Sequence, residues 1–257
     1  MGIIVSGRLF SLVTMVSVAI VYIYLLKRSN PPMVRKIAAI DAIEEALGRC
    51  SELGLGIHFT PGIKSFSPPA GSETVAGISV LGHIARRAAN LDLPLYVSIG
   101  NSAVTPVATE TVRQSYILEG AVDNFREEMI LYYGADNNLY EAGMYGLVSS
   151  GIAGAHINIG AIKAGGSFFT NEMASIKGMI TINGTAEPFS GALLLISSDY
   201  MLIGEELFAI SGYLSKNPTE AIGLQTQDII KIIGLIILIL GSLLFTIGFP
   251  IKELLSV

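Results

Sequence analysis

Six polar residues sit where short apolar runs give way to turns. They are Asn101 and Ser102 after the run 95–99, Asp136 and Asn137 after 129–133, and Ser198 and Asp199 after 193–197. In an open parallel sheet, ligands collect beyond the carboxyl ends of the strands. Helix starts there leave backbone N–H groups free to receive an anion. These six residues are therefore the candidate ligand-binding set. Turns and helix N-caps demand the same residue types, so a purely structural reading of each stands beside the functional one.

Sharper motifs are missing. Lys163-Ala164-Gly165-Gly166-Ser167 invites comparison with a phosphate loop, but Lys precedes the glycines, and glycine stands where the phosphate-binding Lys belongs. No G-x-G-x-x-G follows the first apolar run. Ser197-Ser198-Asp199 with Glu205-Glu206 offers oxygen ligands to a hard cation, or else Asp199 caps the segment after it. His58, His83 and His156 have no metal-ligand spacing, and His58 and His156 fall in strand-like runs as hydrogen-bonded core or edge residues. His83 lies beside Arg86 and Arg87 as a surface residue. There is no G-x-S-x-G elbow for a hydrolase. Cys50, the only cysteine, falls on an apolar helical stripe and reads as buried and inert. No catalytic residue, metal or cofactor is assigned.

The elements that must position these residues alternate. Strands are expected at 57–60, 95–99, 129–133, 156–159, 179–182 and 193–197. Helices are expected at 37–53, 73–90, 106–119, 139–149, 168–175 and 200–215. The strands read as short, apolar and nearly unalternated, which predicts burial on both faces. The fold class is α/β, a largely parallel Rossmann-like sheet with helices on both faces, flanked by N- and C-terminal transmembrane helices. About ten residues join the last two strands, so that pair is either antiparallel or linked by one helical turn.

Mean hydropathy is +0.59, and its excess lies at the two ends. Residues 9–26 carry no charge, and 232–249 are equally long and more apolar. As helices of about 1.5 Å per residue, each reaches roughly 27 Å, near the hydrocarbon thickness. The first run ends in bulky residues, against a cleaved signal peptide. The chain thus divides into an anchor (1–29), an α/β domain (30–227) and a second anchor (228–257). Lys27, Arg28, Arg35 and Lys36 follow the first span and only Arg8 precedes it, which places the domain on the cytoplasmic side of a cell membrane. Lys252, beyond the second span, is a mild contrary signal. Residues 30–227 hold eleven Lys/Arg against nineteen Asp/Glu, a net of −8. That balance excludes nucleic acid as a partner.

Glycines inside the expected helices cost about 1 kcal/mol each against Ala. Gly77 and Gly82, Gly143 and Gly146, and Gly204 and Gly212 are expected where a helix approaches another backbone. Gly234, Gly241 and Gly248, spaced by seven, form a small-residue stripe suited to helix association in a bilayer, or simply reflect membrane-helix composition.

Three stretches carry a resemblance. They are Ile40-Asp41-Ala42-Ile43-Glu44-Glu45-Ala46-Leu47-Gly48-Arg49, Leu81-Gly82-His83-Ile84-Ala85-Arg86-Arg87-Ala88-Ala89, and Ser198-Asp199-Tyr200-Met201-Leu202-Ile203-Gly204-Glu205-Glu206-Leu207 with Ser211-x-Tyr213-Leu214-Ser215. Their order and spacing resemble an uncharacterised family of prokaryotic membrane-anchored domains, catalogued as a domain of unknown function. The resemblance implies that the middle of the chain is one domain and that the anchor belongs to it. The expected function is non-enzymatic: self-assembly, or a scaffold or subunit role in a membrane complex, with the lipid bilayer and a homo-oligomer or membrane-complex partner. The rival is a small-anion or nucleotide-binding domain, catalytic or not, that uses the Gly/Ser/Asn loops.

Overall fold

A computed structural model of the chain describes residues 8–26, 38–215 and 218–246. In chain order the elements are α1 (Arg8–Leu26), α2 (Ala38–Leu53), β1 (Gly56–Gly62), α3 (Gly71–Asn90), β2 (Leu95–Ile99), α4 (Thr105–Leu118), β3 (Ile130–Tyr132), α5 (Asn137–Ser149), β4 (Ala153–Ala161), α6 (Ala164–Ile176), β5 (Ile180–Thr185), α7 (Pro188–Ile196), β6 (Tyr200–Ile203), α8 (Glu205–Ser215) and α9 (Pro218–Thr246). They fall into two units, Met1–Arg35 with Lys216–Val257, and Lys36–Ser215.

The second unit is built on a six-stranded sheet ordered β3-β2-β1-β4-β5-β6, with every pair parallel. The chain winds outward from β1 to β3, then crosses back to lay β4 beside β1. The strand order therefore reverses between β1 and β4. Helices α2, α3, α4 and α8 pack on one side, and α5, α6 and α7 line the other. The first side holds the hydrophobic core, in which Ile57, Phe59, Val97, Ile157 and Ile182 meet Ile43, Leu47, Leu81 and Ile84. Cys50 belongs to this core, and burial pushes its thiol up to about 11. Outside the core, Glu44 of α2 accepts from His83 and from Arg87 of α3, both at 2.9 Å, which ties together the first two stretches that carry the family resemblance.

Two elements differ from expectation. Residues 193–196 form the end of α7, Ser197 is its C-cap, and none of them is strand. Pro188 occupies its first turn, and the Glu187 carboxylate accepts from the Phe189 and Ser190 N–H groups. These start signals outweigh the apolar run Leu193-Leu194-Leu195-Ile196, which mimics a buried strand because α7 is apolar all round. The last crossover is thus a helix and the last pair is parallel. The segment 200–215 is split: Tyr200–Ile203 pairs with β5, Gly204 takes a left-handed φ of 61°, and α8 begins at Glu205.

The helix glycines divide as well. A Cβ on Gly77 would lie 2.4 Å from the Ile159 carbonyl oxygen, so α3 rests directly on the end of β4. Gly143 faces the Tyr133 ring in the same way, and Gly82 lies against Thr111, whereas Gly146 has open space around it. Gly212 falls among residues whose surroundings are not described. Gly77→Ala is therefore expected to cost about 1–3 kcal/mol, while Gly146→Ala should stabilise by about 1 kcal/mol. Paired thermal melts check this, and equal effects at the two sites would refute the close-approach account.

In the first unit α1 packs against α9. Among the described residues no helix is long and apolar enough to cross a membrane. Among the described residues no atom lies within 4 Å of where a Cβ on Gly234 or Gly241 would stand, and Gly248 lies outside the described residues.

Candidate functional site

The strands do alternate. Ile57-His58-Phe59-Thr60 in β1, Ala155-His156-Ile157-Asn158 in β4 and Ile180-Thr181-Ile182-Asn183 in β5 each send apolar side chains to the core side and polar ones to the other. Register aligns them into rows: His58 beside His156 beside Thr181, and Thr60 beside Asn158 beside Asn183. All six are buried beneath the helices of the second side. The sequence reading missed this layer because each run looks apolar on average, although the repeated polar-apolar-polar triplets carry the signal.

At its centre the His58 and His156 rings stack, with centroids 4.8 Å apart and Nδ1 to Nδ1 2.8 Å. His58 Nε2 lies 2.7 Å from the Ser98 hydroxyl. Burial, reinforced by the neighbouring His156, holds the His58 pKa well below its ordinary value, and burial brings His156 down to about 4. Both imidazoles are therefore neutral at physiological pH, and one donates its single Nδ1 proton to the other. Serine joined to histidine joined to a second histidine has the connectivity of a hydrolytic triad. Here Ser98 has no exposed surface, so its hydroxyl meets no substrate in this conformation. Beside the pair, Tyr140 of α5 bonds Thr60. The layer also holds unsatisfied atoms: among the described residues, His156 Nε2, both side-chain heteroatoms of Asn158, and Oδ1 of Asn171 and Asn183 have no partner.

At the carboxyl edge, where a ligand phosphate would sit, the fold places its own acids. The Glu141 carboxylate of α5 lies over the first turn of α6 and accepts from the Ser167 hydroxyl at 3.2 Å and from the Ser167 N–H. Gly166 makes room for it, since a Cβ there would come within 2.3 Å of Glu141 Cγ. Burial raises the Glu141 pKa to about 7, opposed in part by the Ser167 bonds and by Lys163. Glu73 of α3 reaches across to the end of β5, taking the Thr185 hydroxyl at 3.0 Å and the Ala186 N–H at 3.1 Å. The segment that most resembled a phosphate loop is thus closed by an internal carboxylate.

The six sequence candidates do not converge. Asn101 closes its own turn, accepting from Ala103 N–H at 3.0 Å, and Ser102 is exposed beside it. Asp136 caps α5 by accepting from the Asn138 and Leu139 N–H groups. Asn137 begins that helix with a buried, unpartnered Oδ1. Ser198 and Asp199 lie at the opposite, amino edge, a correction that follows from reading α7 as a helix. Ser198 accepts from Asn183 at 2.8 Å, and Asp199 takes the Thr181 N–H and hydroxyl at 2.8 and 2.9 Å, locking β6 to β5 and capping no helix. Among the described residues no group of three or more His, Cys, Asp or Glu could hold a metal ion.

The family described as a domain of unknown function (DUF6754) matches residues 4–255, nearly the whole chain. The chain belongs to this family. The match runs through both units, so the terminal helices and the α/β domain are parts of one family architecture. No curated protein and no solved structure is detectably similar.

Proposed function

We propose that this chain is a membrane-anchored, non-enzymatic α/β domain that works by self-assembly or as a scaffold subunit of a membrane complex, with the domain on the cytoplasmic side. The observation that carries the anchoring is the outward face of the α1–α9 pair. Met15, Ile20, Leu235, Ile237 and Leu238 are each at least 59% exposed, on helices whose sequence runs of eighteen residues hold no charge. Water opposes such a surface and lipid accepts it. The open space at Gly234 and Gly241 leaves that stripe free for a helix of another copy. Against the nucleotide-binding rival stands the Glu141 side chain, which already occupies the first turn of α6 and takes the Ser167 hydroxyl and N–H that a phosphate would need.

Two measurements test this. In the full chain with Ser67→Cys, a position exposed between β1 and α3, the thiol should stay unlabelled by a membrane-impermeant reagent in intact cells and react after lysis. Buried Cys50 gives no background. Rapid labelling in intact cells would reverse the topology, and release of the chain by alkaline carbonate would remove the anchors. In detergent, light scattering should give a multimer, and a panel of nucleotides should leave the melting temperature unchanged. A monomer with a large nucleotide shift would sink the scaffold reading.

A further inference from the structure

The outer face of α5, α6 and α7 is nearly bare of charge. These helices cover the polar side of the sheet, and α6 packs against both α5 and α7. Each turns one stripe inward and one outward. The outward stripes carry Leu139 and Tyr145 on α5, Phe169 and Ile176 on α6, and Phe189 and Ile196 on α7. These six side chains are between 40% and 76% exposed. None of the three helices contains Lys or Arg. Among the described residues, Glu172 is the one charge at an exposed position on them. The other side of the sheet is covered differently: Asp41, Glu45, Arg49, Arg86, Glu110 and Arg113 stand exposed on α2, α3 and α4. A contiguous apolar face on one side of a domain marks an interaction surface.

We propose that this face binds a second copy of the chain in a two-fold dimer. The area fits that occupant. At these exposures the six side chains present roughly 700 Å², close to the ~800 Å² that each partner contributes to a stable complex. A bilayer fits poorly. Helices that lie on lipid carry Lys and Arg toward anionic headgroups, and this face has an acid instead. Charge complementarity sets the register. Glu172 is exposed in the last turns of α6, and Lys177 is exposed just past its end. In a two-fold interface the same pair of positions meets twice. With α6 antiparallel to its twin, Glu172 of each copy meets Lys177 of the other, and the axis passes beside Ser175 and Ile176. The inference rests on the self-assembly reading and names the surface through which the domains meet.

Cross-linking of the full chain in isolated membranes with a short bis-maleimide tests it. Ser175→Cys is expected to give a covalent dimer, and Ser51→Cys, exposed on α2, at least about tenfold less of it. Buried Cys50 adds no background. Phe169→Asp, which puts like charges together across the axis, should lower the Ser175→Cys dimer at least about tenfold. An unchanged far-ultraviolet dichroism spectrum certifies its fold, and Ile196→Asp serves as a second variant of the same kind. Light scattering in detergent separates the possible failures. A multimer whose Ser175→Cys gives no covalent dimer would overturn this surface and leave self-assembly standing, whereas a monomer without cross-linking would overturn both. Protection of Ser175→Cys from a water-soluble thiol reagent without cross-linking would give the face to lipid. An equal yield at Ser51→Cys, or a yield unmoved by both aspartates, would also overturn the proposal.

Discussion

Raising the pH from about 5 to about 8 is expected to destabilise the folded domain by roughly 2–3 kcal/mol through Glu141. Its carboxyl has a folded pKa of about 7, raised from 4.5 because the site is buried. The protonated form is therefore the one folding favours. Its contribution is fully present below the unfolded value and is lost as pH rises through about 7. At the size of this domain, the change should lower the melting temperature by roughly 5–10 °C relative to a variant that cannot ionise at this position, since the histidine pair gains stability over the lower part of the same window. Glu141→Gln keeps the side-chain length and an oxygen to accept from Ser167, but cannot ionise. The variant should keep the acid limb, lose the fall that sets in as pH rises through 7, and melt above the native protein at alkaline pH. A native-like slope in Glu141→Gln would place the titration elsewhere and remove the argument that a strained internal carboxylate closes the α6 start.

The sheet was legible where local signals agreed. The run Leu95-Tyr96-Val97-Ser98-Ile99 is bounded by Pro94 and Gly100, and its strand appears with the expected ends. Gly77 was readable as a close-approach glycine, but the same sign at Gly146 marks open space, so a helix-interior glycine alone does not locate a contact. The reading failed where a local pattern has two solutions. An apolar tetrad such as Leu193-Leu194-Leu195-Ile196 suits a buried strand or an edge helix equally. Here α7 leaves Leu195 and Ile196 more than half exposed, which no apolar count predicts. The site was the least legible part. Glu141 and Ser167 are 26 residues apart and His58 and His156 are 98 apart. Only the strand order and the α5 crossover bring them together. What the sequence does display is the triplet period, and it becomes informative once burial of both sheet faces is assumed.

The buried layer also explains why the candidate residues disagree with the fold about function. The notion of a ligand edge rests on free N–H groups at helix starts. In this chain Asp136, Glu141 and Glu187 take some of those groups at α5, α6 and α7, while α3 and α4 start at the same edge without a side-chain cap. Polar capacity is instead moved inward, under helices, where Asn158 and His156 remain unsatisfied. Buried polar groups of this kind cost stability and favour a single register over slipped alternatives. That balance suits a domain whose work is to hold one shape.

The acid side of the stability curve should belong to the histidine pair. A base whose folded pKa lies below its unfolded value of 6.5 contributes stability that is complete above 6.5 and lost as pH falls toward the folded value. For His156, at about 4, the loss amounts to about 3 kcal/mol, and His58 acts in the same direction. This limb opposes that of Glu141, so stability should peak between pH 6 and pH 7. The two rings are not equivalent. Replacing His58 with Leu leaves the Ser98 hydroxyl without its ring partner and His156 with neither nitrogen paired, at an expected cost of about 3 kcal/mol. Replacing His156 with Leu also removes an atom, Nε2, that has no partner among the described residues, and leaves the bond between His58 and Ser98 in place. Its cost should be about 1 kcal/mol. Denaturant melts of the two single variants and the double variant, at pH 7 and pH 5, separate the effects. The double variant should lose most of the acid limb. Equal costs for the single variants, or an undiminished acid limb in the double, would show that the pair does not set the low-pH behaviour and that its neutral, directional bond is not what the interior is arranged to protect.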